Sequence, residues 1–157
     1  MKVSWASGII MCLMRNLGED TLMVLYDDDC GFCEVTLAML LTWDRANRVR
    51  PVSIQSTRGD DLLIDMKRED RTKSWHLIDA GGMLHSGGAG IPVIFDALPW
   101  GVLIANVVWR FPTATSRTYD WVANHRVLLG RGLGARPRAW AARVIAERER
   151  SDQMNTS

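Results

Sequence analysis

The sequence predicts an α/β domain, a mixed β-sheet flanked by helices with additional helices toward the C-terminus. Three observations lead there. A compact apolar run, Thr21 to Tyr26, has the length of a buried strand and passes through a cluster of acids into a long apolar segment of helical composition. A second strand-like stretch, a short amphipathic segment and a Gly-Gly hairpin follow in that order. Beyond Gly87 the chain reads as helices punctuated by Pro99, Pro112 and a Gly-rich GRGLGARP segment.

Each element has its own warrant. TLMVLY (21–26) stops at Asp27, Asp28 and Asp29, and EVTLAMLLTW lacks Gly and Pro and is rich in Leu, Ala and Met, so a largely buried helix is expected from Cys30 to Trp43. RVRPVSIQ (48–55) alternates well enough for a strand, and Pro51, which has no N–H to give a ladder, assigns it to an edge or a strand start. Leu62, Leu63 and Met66 lie at helical spacing, which predicts a short amphipathic helix over 59–68. SWHLID (74–79) and MLHS (83–86) flank Ala80-Gly81-Gly82, and the glycines supply the positive φ of a tight hairpin. Helices are then expected over 87–98, 100–111, 116–129 and 138–150, with a frayed polar end at 151–157. Strand-helix-strand joined to strand-strand-helix around one mixed sheet is the thioredoxin-like arrangement.

The chain has 157 residues, 47% hydrophobic and 24% charged, enough for one packed core and too short for two comfortable domains. The division expected is a disordered leader (1–20), a thioredoxin-like domain with helical additions (21–134) and an Arg-rich C-terminal helix with a frayed tail (135–157). Ile9 to Met14 is too short for a signal-peptide core, and Trp100 to Trp109 is far below the ~20 residues of a membrane span. The net charge of +1 gives no whole-molecule attraction to nucleic acid. It conceals an asymmetry, with acids alone between Glu19 and Asp29 and a strong excess of arginine from Arg110 to Arg150. The Arg-Gly segment at 130–138 lacks interleaved stacking aromatics, so a solvated helical face is the expectation and no nucleic-acid partner is implied. The tryptophans are read as core or helix-packing residues, with a membrane-surface or partner-binding face from Trp100, Trp109 and Trp121 as the alternative.

The three cysteines do not form a dense, even disulfide framework, and two of them make Cys-x-x-Cys, which points to reactive thiols in a reducing, cytoplasmic compartment. A thiol attacks a disulfide only as the thiolate, and a helix N-terminus favours a negative sulfur. Cys30, at the helix entrance, is therefore the candidate attacking thiol, and Cys33, one turn inside, the candidate resolving thiol. Gly31 would let a partner's backbone approach, and Phe32 offers an apolar contact beside the sulfur. The three acids before Cys30 oppose the helix terminus by like-charge repulsion. Asp29 is the expected helix N-cap, and Asp27 the expected proton acceptor for Cys33.

YDDDCGFC, with Asp27, Cys30 and Cys33, resembles the D-x-x-C-x-x-C signature of the DCC family of predicted thiol-disulfide oxidoreductases. A second strand ending in Ile54-Gln55-Ser56, a hairpin with Asp79, Tyr119, and Asn124 with Arg126 resemble that family's later segments, so the similarity spans about Leu22 to Gly134. The resemblance implies a thioredoxin-like fold and a dithiol-disulfide activity on a disulfide- or thiol-bearing substrate, with a separate reductant and no cofactor. One departure from familiar thioredoxins is that Thr72, Lys73 and Ser74 precede Trp75, leaving no proline to face the cysteines, whereas Pro92 suits an early helix turn. The competing reading is a non-enzymatic metal-binding or protein-interaction module. One Cys-x-x-Cys supplies two of the four ligands of a closed zinc site, and Cys12, His76, His85 or His125 would have to complete it.

Overall fold

The computed structural model describes residues 21–156. The expectations for a leader and for Cys12 therefore lie outside the described residues.

β1 (Leu22–Tyr26), α1 (Gly31–Trp43) and β2 (Val49–Ser53) form a parallel strand-helix-strand unit. β3 (His76–Ile78) and β4 (Leu84–Ser86) form an antiparallel hairpin, and β3 also pairs antiparallel with β1. The sheet order is β2-β1-β3-β4, so β1 is interior and β2 is an edge, which accommodates Pro51 in the middle of β2. This is the thioredoxin-like α/β arrangement.

Alternation explains why β1 is apolar throughout. Leu22, Val24 and Tyr26 point to one face and pack with Leu37 and Leu41 of α1, while Met23 and Leu25 point to the other and pack with Val52, Leu62 and Ile78. Each face needs its own helical cover. The first is covered by α1, α4 (Gly90–Ala97) and α7 (Ala135–Thr156); the second by α2 (Thr57–Leu62) and the segment after it. The single helix expected over 59–68 divides in two, α2 and α3 (Arg68–Arg71), because Leu62 and Leu63 are drawn into the second core and end the turn there. A 3-10 turn (Gly87–Ala89) precedes α4, and Pro92 lies buried in the first turn of α4.

α5 (Gly101–Arg110) and α6 (Pro112–Arg131) make a helical hairpin against this core. Gly88 brings α6 to the 3-10 turn, since a Cβ there would lie 2.9 Å from the Ser116 Cα. α5 buries just Gly101 and Ala105, and α6 buries no side chain. The tryptophans expected in the core are correspondingly outside: Trp100, Trp109 and Trp121 are 86%, 63% and 58% exposed. A hairpin touching the core along one stripe cannot cover the apolar residues on its other sides.

Trp100 caps α5 in the left-handed region, at φ 63°, where a bulky residue is strained by roughly 1–2 kcal/mol. Since its side chain is almost fully exposed, Trp100→Gly should relieve strain at little packing loss and raise stability by up to about 1 kcal/mol after glycine's greater unfolded-state entropy is counted. Urea denaturation checks this, and a clear loss of stability would rule out the strain.

α7 is not an appendage. Ala141 and Ile145 are buried, Ile145 in the core shared with β1 and α1, and the helix continues through the expected frayed segment to Thr156. Asp152 reaches Arg50 of β2 as an ion pair.

Candidate functional site

The site grows from the β1–α1 connection. Asp27, Asp28 and Asp29 make a turn in which the Cys30 N–H donates to the Asp27 carbonyl at 3.2 Å. Neutral groups from the end of β2 hold the acids in place. Gln55 donates through Nε2 to Asp27 Oδ1 at 2.7 Å, and Ser53 donates through Oγ to Asp28 Oδ2 at 2.7 Å. Gln55 also accepts the Asp28 N–H at 3.3 Å. Gln55 thus clamps the turn that presents Cys30, a role its position after a strand did not reveal.

The helix cap differs from expectation. Cys30, not Asp29, is the N-cap of α1: its backbone is extended, and its Sγ accepts the Cys33 N–H at 3.3 Å. Asp29 instead turns its own N–H to Asp27 Oδ1 at 3.2 Å and leaves the helix terminus to sulfur. The same bond that caps the helix therefore polarises the Cys30 sulfur.

Cys30 is half-buried and Cys33 is 3% exposed. The hydrogen bond from the Cys33 thiol, opposed by burial and reinforced by the Cys33 N–H and the positive charge of Arg126, brings the Cys30 pKa down to about 6. Asp27 works in the opposite direction. Cys33 is pushed up, because its proton is held by Cys30 and its sulfur is buried. One thiol is primed to lose its proton and the other to keep it.

Phe32 and Cys33 both face a cavity of about 510 Å³ whose wall is almost wholly apolar. Above Gly31 the space is taken by Arg138 of α7, which also reaches toward Glu34 at 3.8 Å. The Asp27 carboxylate lies close enough to raise both thiols, yet its Oδ1 hydrogen bonds go to Gln55 and Asp29 rather than to Cys33.

The helical hairpin supplies what the motif does not contain. Thr115, Tyr119, Val122 and Arg126 recur along α6 at spacings of four, three and four, and this stripe closes the cavity over Cys33. The Tyr119 hydroxyl accepts the Trp75 N–H at 2.8 Å, just before β3, where no proline stands. In the sequence Tyr119 and Arg126 stand out through the family resemblance alone, and the stripe brings both to the cavity wall.

The histidines named as possible metal ligands are occupied. His76 is buried between Ser86 Oγ at 2.8 Å and the Arg71 carbonyl at 3.0 Å. His85 pairs with Asp79 at 2.8 Å, and His125 with the Trp121 carbonyl at 2.7 Å. Among the described residues the one cluster with metal-ligand spacing is Asp27, Asp28 and Asp29, which includes neither thiol. Among them, too, no helix is long and apolar enough to cross a membrane.

A dithiol at a helix entrance on a thioredoxin-like sheet defines the class of redox thiol proteins. The chain belongs to the DCC1-like thiol-disulfide oxidoreductase family, whose family model matches residues 24–132. No curated protein and no solved structure matches the chain.

Proposed function

We propose that the protein is a thiol-disulfide oxidoreductase in which Cys30 attacks and Cys33 resolves. The observation that carries this reading is the Cys30 Sγ acting as helix cap, accepting the Cys33 N–H with a pKa of about 6. The Cys30 thiolate attacks one sulfur of a substrate disulfide; a Cys30–substrate bond forms, the substrate S–S bond breaks, and the other sulfur leaves as thiolate. Cys33 then loses its proton and attacks the Cys30 sulfur, releasing the second substrate sulfur and leaving a Cys30–Cys33 disulfide. A separate dithiol reductant returns two electrons and two protons, and no cofactor enters the cycle. Phe32 offers the apolar substrate-facing contact, the Arg138 side chain over Gly31 has to swing aside before a partner's backbone can approach there, and a reducing, cytoplasmic setting suits a dithiol that must be recycled.

Asp27 is assigned as acceptor of the Cys33 proton, because it lies within electrostatic reach of that thiol and because the mixed disulfide removes the Cys30 thiolate that would otherwise compete for it. Asp27→Asn should slow the resolving step by roughly 10²-fold or more while leaving formation of the mixed disulfide intact. Rapid-quench trapping across pH 5–9 separates the two steps. An unchanged resolving rate and pH profile would remove Asp27 from the mechanism, leaving the dithiol exchange itself untouched.

A further inference from the structure

We propose that the apolar cavity beside Cys33 binds a single-chain anionic amphiphile, a medium-chain carboxylate of the fatty-acid kind, with its tail among Leu40, Ile91, Phe95 and Val122 and its head against Arg126. The cavity is about 510 Å³, inside the roughly 300–1,000 Å³ range of small-molecule sites. It lies between α1, α4, α5 and α6, and no carboxylate is among its lining residues. Apart from His85, which Asp79 holds, its one basic side chain is Arg126.

Arg126 makes no hydrogen bond or ion pair with any described residue, although it is half-buried at an apolar wall, where a charge without a partner is costly. The charge it acts on is the thiolate of the reduced dithiol. Oxidation to a Cys30–Cys33 disulfide makes the sulfurs neutral and removes that counter-charge from the cavity side of the guanidinium, leaving Asp120 on the adjoining shelf as a carboxylate beside it. A carboxylate would replace that charge, and it would point toward a polar shelf that shares Tyr119 and Arg126 with the cavity and carries Lys73 and Asp120, one charge of each sign, beside Ser74 and Ser116. The Tyr119 hydroxyl already accepts the Trp75 N–H, so the deep wall offers few polar groups and suits an unbranched alkyl chain. A neutral apolar ligand would leave Arg126 unpaired, and a cationic one would be repelled.

The binding claim stands apart from the redox reading; its coupling to oxidation state rests on that reading. Each ligand should bind the oxidised form more tightly than the reduced one, and by reciprocity should favour the disulfide, making the dithiol more reducing.

The test is calorimetric titration of the full 157-residue chain with octanoate, decanoate and dodecanoate, kept below micelle-forming concentrations. Saturable one-to-one binding should tighten about fourfold per added methylene, which corresponds to about 0.8 kcal/mol for each buried CH₂. Dodecanol and dodecyltrimethylammonium should bind at least about tenfold more weakly than dodecanoate, a difference in the range of one charge-assisted hydrogen bond. Arg126→Met should erase the preference for carboxylate over alcohol, and Val122→Trp should fill the cavity and abolish binding. The chain-length and head-group series on the unaltered protein decides the question even if either variant fails to fold. Absence of saturable binding, or equal binding of anion, alcohol and cation, would overturn the proposal. Absence of dodecanoate binding combined with slower peptide-disulfide exchange in Val122→Trp would overturn it too, assigning the cavity to a side chain of a polypeptide substrate. A Cys30→Ser/Cys33→Ser protein should bind dodecanoate without distinguishing redox conditions, which separates failure of the site from failure of the dithiol chemistry.

Discussion

In Cys33→Ser protein, Cys30 is expected to attack a disulfide substrate once and remain bonded to it. Turnover falls to background while a one-to-one mixed disulfide accumulates, and Cys30→Ser gives neither turnover nor adduct. The asymmetry of the two thiols drives the prediction: the Cys33 hydrogen bonds lower Cys30 to about 6, and burial with the same hydrogen bond raises Cys33. At pH 7 a thiol of that pKa is roughly 90% thiolate, so alkylation of Cys30 should follow a curve centred near pH 6 rather than near the ordinary ~8.5. The linkage sign follows from the depressed value. Cys30 contributes stability to the reduced fold that is fully present above the unfolded-state pKa and is lost as the pH falls through about 6. Denaturation midpoints of the reduced protein and Cys30→Ser should therefore diverge between pH 6 and 9 and converge toward pH 5. Mass spectrometry of the trapped adduct and pH-dependent alkylation check both parts. A Cys33→Ser protein that still turns over, or an alkylation midpoint near 8.5, would refute the assignment of Cys30 as the primed nucleophile.

That dithiol was legible because its physics is local. A five-residue apolar strand running into a Gly- and Pro-free helix places Cys30 at the terminus whatever the rest of the chain does, and Pro51 placed β2 at the sheet edge by the same kind of reasoning. Capping was misread for a local reason too. Asp29 is the better capping residue by type, but the Asp27 side chain had already taken the Asp29 N–H, and the backbone entered the helix at Cys30. What was not legible depends on distant contacts. Arg126 lies 93 positions beyond Cys33, and nothing in its own helix says which sulfur or cavity its stripe will face. The α5–α6 tryptophans were expected inside because large aromatics usually are, yet whether a helix buries them depends on how much of its circumference meets the core. The Arg-rich composition of α7 does not show that one of its arginines, Arg148, is the charge that a buried carboxylate needs.

Arg148→Met should destabilise the protein by about 3–5 kcal/mol, the usual cost of removing one partner of a buried ion pair. Asp44 ends α1 fully buried, its carboxylate accepting the Val49 N–H at 2.8 Å, the Arg48 N–H at 3.2 Å and Arg148 Nη1 at 2.7 Å. Arg148 also donates to the Leu41 carbonyl at 2.8 Å and the Asp44 carbonyl at 3.1 Å, satisfying acceptors that the end of a helix leaves open and placing a positive charge at its negative pole. A further bond to the Val49 carbonyl at 3.2 Å joins α7 to β2 as well. Methionine would keep most of the packing volume and none of these donors, so the loss reports the charge and hydrogen bonds rather than a cavity. For a chain of this length the thermal midpoint should fall by on the order of 10 °C, with little dependence on salt because the pair is shielded from solvent. Asp44→Asn/Arg148→Met should recover part of the loss, since the uncompensated charge goes while one acceptor for the Val49 N–H stays. A change within about 0.5 kcal/mol, the ordinary range for an exposed surface substitution, would mean that α7 is the solvated tail its composition suggests. Cys30 sits at the opposite end of α1, so its alkylation midpoint should stay near 6 in folded Arg148→Met protein, distinguishing a helix that loses its anchor from a site that loses its chemistry.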